Sequence, residues 1–91
     1  MDDNFGIGQA VKEMQNGYRV RRAGWNGKGM WLALQAGSPE LKGEKPEQHV
    51  RERSPYVYMK TADDKIIPWL CSQADLLAID WQIAGEPDVS Q

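Results

Sequence analysis

Apolar and polar positions along this chain recur with two different periods. Ile7, Ala10, Val11 and Met14 fall at i, i+3, i+4 and i+7, which marks one face of an amphipathic helix. Asn4 stands where an N-cap is expected, and Gly17 after Asn16 is a natural stop, so the spacing predicts a helix over 5–16. Gly6 and Gly8 weaken its first turn, each by about 1 kcal/mol relative to alanine. From Tyr18 the period drops to two. The run "YRVRR" puts Tyr18, Val20 and Arg22 on one strand face, Arg19 and Arg21 on the other. Met30 to Gln35 reads as a second strand with Met30, Leu32 and Leu34 opposite Trp31, Ala33 and Gln35. A sheet apolar on both sides needs two covers. The helix supplies one, and a partner subunit is expected to supply the other.

Residues 36–55 break the pattern with three prolines, two glycines and many charges. So long a loop in a small domain is either a solvated excursion or a functional flap, here one carrying Arg51 and Arg53 over a site. Tyr56 to Lys60 then predicts a third strand, "TADD" a turn, and Lys65 to Trp69 a fourth strand with Pro68 near its end. Ser72 followed by Asp75 is a capping box with Asp in the Glu position, so a short helix begins there and reaches about Ala78. Asp80 to Ala84 is a last strand and 85–91 a frayed tail. The sum is α+β: an N-terminal helix packed on an antiparallel sheet of about five strands, with a short helix before the last strand.

Composition adds three constraints. Ninety-one residues allow one domain over 1–91, and a chain this short buries only about 60–65% of its unfolded surface. Four tryptophans and four methionines are many for that length. Both types are enriched at protein interfaces, so self-association is expected. The single cysteine, Cys71, cannot close an internal disulfide, which suits a reducing cytosol. Neither a basic n-region with an apolar core nor an apolar stretch near 18 residues is present, so a soluble, cytoplasmic protein without a membrane partner is expected. Net charge is −2 but unevenly placed: the balance is +4 over 12–28 and −4 over 72–91. The first block could meet phosphates, while the chain as a whole is no basic nucleic-acid coat.

The motifs of most enzymes are missing. His49 is the one histidine and lies in the charged loop; no Cys/His set has zinc-ligand spacing. There is no GxSxG elbow, Walker loop or dinucleotide GxGxxG, so no cofactor is expected. Cys71 follows Leu70 with no histidine nearby in sequence and reads as a small buried hydrophobe. No two carboxylates are paired as acid and base. The chain reads as a binding protein, with no catalytic residue and no metal.

Binding chemistry centres on two stretches. In "GWNGKGMWLAL" Trp25 and Trp31 flank a glycine-rich loop whose backbone can approach another molecule closely. Trp25 and Trp69 each stand at a strand end beside a turn, where stacking on a base is worth about 1–3 kcal/mol. The alternative for each is ordinary packing, favoured more strongly for Trp31 and Trp81 inside strands. Asn26, Ser72, Gln73 and Asp75 can hydrogen-bond a base edge or a ribose hydroxyl, or else cap turns locally. Arg19, Arg21, Arg22 and Lys28 can neutralise phosphate, or be exposed strand charges. The residues by themselves point to a small oligomeric α+β binding module, for a nucleotide or for none.

Three motifs go further: "VRRAGWNGK" at 20–28, "MKTAD" at 59–63 and "PWLCSQADLLAIDW" at 68–81. In that order they resemble a small phage family, formerly a domain of unknown function, described as the second type of Thoeris anti-defence. The resemblance implies a sponge: a homotetramer that holds cyclic nucleotide immune signals, notably glycocyclic ADP-ribose, without cleaving them. Some members of the family also hold cyclic oligonucleotide signals of CBASS at separate sites. It implies a host-cytoplasm protein with a ligand pocket built from Trp25, Asn26, Trp69, Ser72, Gln73 and Asp75, completed by Asn4 and Phe5 from the same or another subunit. A second, phosphate-holding site would use Arg21, Arg22 and Lys28. Two features depart from the family. Relatives often carry Asp-Gly where this chain has Asp63-Asp64, which suits a two-residue type I′ turn less well, and the 36–55 loop is the least family-like part. The rival readings are a structural or assembly protein of a phage particle with no small ligand, a hydrolase of the same signals, and a single-stranded nucleic-acid binder. The last predicts a basic groove and steep salt dependence, against a pI near 5.3.

Overall fold

A computed structural model describes residues 4–25 and 28–85. The expected Asn26-Gly27 turn and all but the first residue of the 85–91 tail lie outside the described residues. The first helix, α1, is Ile7–Gln15. It starts later than the sequence suggests. Asn4 does not cap it; the N-cap is Gly6, with extended backbone and no side-chain bond. The chain before it is held elsewhere. Phe5 N–H donates to the Trp81 carbonyl at 2.9 Å and Trp81 N–H donates back at 3.0 Å. Two backbone bonds to a buried residue outweigh a cap, and glycine at the N-cap costs only a few tenths of a kcal/mol. The far end follows expectation. Gly17 takes φ +97, its N–H bonds the Met14 carbonyl at 3.0 Å, and Tyr18 N–H bonds Glu13 at 3.0 Å. This is a Schellman stop, whose left-handed position suits glycine.

The strands are β1 (Arg19–Arg22), β2 (Trp31–Gln35), β3 (Tyr56–Lys60), β4 (Ile66–Pro68) and β5 (Trp81–Gly85). They form one sheet in the order β4-β3-β2-β1-β5, every pairing antiparallel. Opposed residues share a face, so the register Val20↔Leu32, Leu32↔Met59 and Arg22↔Trp81 defines the face under α1. Ala10 and Met14 of the helix meet Val20, Leu32 and Trp81 there, and these five form the buried core. Among the described residues no helix is packed on the other face. Arg19 stacks its guanidinium 4.4 Å above the Trp31 ring, and Trp31 meets Tyr58 edge-on at 6.0 Å.

Two turns correct the sequence reading. Residues 36–55 are no shapeless loop: they prolong the β2–β3 hairpin as a narrow arm, bridged at Ser38↔Arg53 and Leu41↔Val50. A 3-10 turn, Pro46–Gln48, folds the tip. Alternating backbone bonds across the bridges, 2.7–2.9 Å long, satisfy groups that a loop would leave to water. At the other hairpin Asp63-Asp64 is not a two-residue turn. Asp64 N–H bonds Thr61 and Asp64 then takes φ +68 before Thr61 N–H bonds Lys65. That is a three-residue loop with its last residue left-handed, a position aspartate tolerates.

After β4 the chain leaves one sheet edge and crosses to the other. Trp69 N–H still bonds Val57 of β3 at 3.1 Å, while Ala23 N–H bonds Asp80 at 3.0 Å. Between them lies α2, Gln73–Leu77. Ser72 caps it as expected: its Oγ accepts from Asp75 N–H at 3.1 Å.

Candidate functional site

The crossing brings three tryptophans together. Trp81 is fully buried at the start of β5. Trp25, just past β1, meets it edge-on at 5.5 Å, and Trp69 does so at 6.0 Å. Edge-to-face contacts satisfy the indole quadrupoles and hold each ring in one orientation. The polar ends of Trp81 and Trp25 converge on one residue. Trp81 Nε1 donates to the Asp75 carbonyl at 3.1 Å, and Trp25 Nε1 donates to the Asp75 carboxylate at 3.3 Å.

Arg22 closes the arrangement. Its Nε donates to Asp80 Oδ1 at 2.8 Å and its Nη1 to Asp75 Oδ1 at 2.9 Å. The other Asp80 oxygen accepts from Gly24 N–H at 2.8 Å. A Cβ on Gly24 would lie 3.0 Å from that oxygen, so glycine allows the close approach. The motif at 20–28 and the acidic residues of the motif at 68–81 are therefore two halves of one network.

Beside Trp25 opens a cavity of about 440 Å³ lined by Arg21, Arg22, Ala23, Trp25, Lys28, Gly29, Met30 and Gln82. Trp25 and the cations Arg21, Arg22 and Lys28, assigned above to two sites, line this one space. Gln82 was missed. The signal was its alternation in β5, which sets it opposite Arg21. Asn4 is not in the lining but accepts from Gln82 Nε2 at 2.8 Å. Four of the other expected residues stand apart. Trp69 and Phe5 pack on the core, Ser72 is occupied as a cap, Gln73 is exposed on α2, and Asn26 lies outside the described residues. None of the arm residues 36–55, Arg51 and Arg53 included, is in the cavity lining.

The electrostatics argue for a rigid wall. The Arg22 guanidinium holds Asp80 below the usual carboxylate range, helped by Gly24 N–H and opposed by partial burial. Burial pushes Asp75 upward, but the bonds from Arg22, Trp25 and Ser72 outweigh it and hold it low. Arg22, beside both carboxylates, is raised. Cys71 moves the wrong way for a nucleophile: burial, and then the Asp75 charge, push its thiol up. Among the described residues no group of three His, Cys, Asp or Glu side chains could hold a metal, and no helix is long and apolar enough to cross a membrane.

The model of the Tad2-like family, described as the Thoeris anti-defense 2-like domain, matches residues 5–84. The chain belongs to that family. It is also similar to Thoeris anti-defense 2 of Bacillus phage SP01, with 36% identity over 89 residues, covering 93% of this chain and 100% of that protein. The Tad2-like span takes in both halves of the Arg22 network and all the residues lining the cavity.

Because Asp75 and Asp80 of this Tad2-like chain are held below their unfolded values, the network's stabilisation is present above the unfolded values, near about pH 4, and is lost as pH falls through the folded ones. Asp63, lowered by the Thr61 hydroxyl, adds in the same direction. Urea midpoints are expected to be flat from neutral pH to about 5 and to fall below about 4. The fall should be shallower in Asp80→Asn. Midpoints that stay level to about pH 2 would contradict the network.

Proposed function

We propose that this chain is an anti-Thoeris sponge: it binds a cyclic nucleotide signal of the glycocyclic ADP-ribose type and holds it uncleaved, so that the host effector stays off. Family membership carries the class of function. The ligand type is supported by one observation, the placing of an indole beside exposed cations in a single cavity. Such a ligand offers a flat base and a pyrophosphate. Trp25 would stack on the first, Arg21 and Lys28 would meet the second, and Gln82 with Asn4 would bond ribose or base. Trp69, Ser72, Gln73, Asp75 and Phe5 would support that wall or complete it from a second subunit, and Asn26 would hydrogen-bond ribose or base. Cyclic oligonucleotide signals of CBASS would use the basic side of the same region, around Arg21 and Lys28.

A homotetramer fits the surface. Leu70 is 91% exposed, Leu77 75% and Ile79 80%. Large apolar side chains this exposed and this close in sequence mark a face that another molecule covers. Depleting a scarce signal requires roughly nanomolar affinity, about −12 kcal/mol. Stacking at about 1–3 kcal/mol and charge-assisted bonds at about 1.5–3 each approach it only if the walls are ordered beforehand. The Arg22 network supplies that order.

The test is titration calorimetry with glycocyclic ADP-ribose, then heating of the complex and mass analysis of what is released. Tight binding with intact ligand recovered is the expected result. Altered ligand would mean a hydrolase. No heat, with cyclic di- and trinucleotides silent too, would leave a phage structural protein as the better reading.

A further inference from the structure

Arg22 lines the cavity, yet it differs from the other two cations there. Arg21 and Lys28 are exposed. The Arg22 side chain is 20% exposed and lies between Asp75, 14% exposed, and Asp80, 27% exposed. One cation against two carboxylates gives a cluster that is negative overall and repels phosphate. The groups Arg22 joins come from three places: the end of β1, the turn that carries Gly24 and Trp25, and the crossing segment with α2. Its bond to Asp75 falls on the oxygen that Trp25 Nε1 also uses.

We propose that Arg22 is a positioning residue, which locks Asp75 and Asp80 to the β1 turn and thereby aims the Trp25 indole, and that Arg21 and Lys28 alone supply the positive charge met by the ligand. This rests on the sponge reading above. The alternative is that Arg22 contacts phosphate directly, and the two differ in sign. Asp80→Asn removes a competitor for the guanidinium, so direct contact predicts equal or tighter binding. Positioning predicts weaker binding, because the turn loses either the Arg22 bond or the Gly24 bond. Lysine keeps the charge but not the planar fork that bridges two carboxylates. Arg22→Lys thus preserves a phosphate contact and fails to preserve the lock.

The experiment measures glycocyclic ADP-ribose affinity, melting temperature and the near-ultraviolet circular dichroism of Trp25, the last as a difference from Trp25→Phe. Arg22→Lys and Asp80→Asn, assayed well below their melting temperatures, are each expected to weaken binding about tenfold and to lose the Trp25 signal. Arg21→Gln and Lys28→Gln are expected to weaken binding with that signal intact. Natural affinity in Arg22→Lys, or equal or tighter binding in Asp80→Asn, overturns the inference. If the natural chain binds nothing, the sponge reading fails instead, and the Trp25 signal in the two network variants decides by itself whether Arg22 positions the indole.

Discussion

Trp81→Ala is expected to lower the unfolding free energy by about 3–5 kcal/mol, the range for truncating a buried tryptophan. A domain of this length has only about 5–13 kcal/mol to lose. Trp81 is fully buried and is the common neighbour of Trp25 and Trp69. Its Nε1 holds the Asp75 carbonyl, and its backbone anchors Phe5 through two bonds. Removing the ring opens a cavity beside both outer indoles, which meet it edge-on. Urea titration followed by far-ultraviolet circular dichroism checks it, since the fluorescence of the remaining tryptophans would change for other reasons. Trp81→Phe should keep roughly half of the loss from appearing, because the ring contacts survive and only the Nε1 bond goes. A loss under about 1 kcal/mol for the alanine variant would mean that the core tolerates the void.

Trp25→Ala is the variant expected to end signal capture. The indole is half-buried and lines the cavity, so the truncation removes the stacking face without emptying the core. Losing about 2–3 kcal/mol of stacking weakens binding roughly 30- to 150-fold, enough to take a sponge out of the range in which it empties a signal. Trp69→Ala should also weaken capture, but through Trp81, on which it packs. Both variants would be read by calorimetry and by plating phage on a Thoeris-bearing host. A Trp25→Ala, Trp69→Ala double variant that still protects phage would remove both tryptophans from the site.

Much of this fold is legible along the chain. The 3.6-residue spacing of Ile7, Ala10 and Met14, the left-handed stop at Gly17, the two-residue alternation around Val20 and Leu32, and the Ser72 cap all depend on neighbours a few positions apart. Local geometry and local bonds decide them, and with them the α+β class and the order of the elements; packing is favoured alike for Trp31 and Trp81 inside strands, and of the two Trp81 is the one fully buried. Where local rules failed, a distant partner had intervened. Asn4 loses its capping role because Phe5 is drawn to Trp81, and 36–55 becomes an arm because Ser38 finds Arg53 and Leu41 finds Val50. The site is of both kinds: Arg21, Arg22, Trp25 and Lys28 line the cavity from one short stretch, but the network behind them is made by distant partners. Arg22 is 53 positions from Asp75 and 58 from Asp80, and Trp25 is 50 from Asp75. A cation read in isolation looks ready for phosphate. Only the tertiary structure, by carrying the chain from β4 across the sheet to β5, brought two carboxylates to Arg22 and left Arg21 and Lys28 exposed at the cavity beside it.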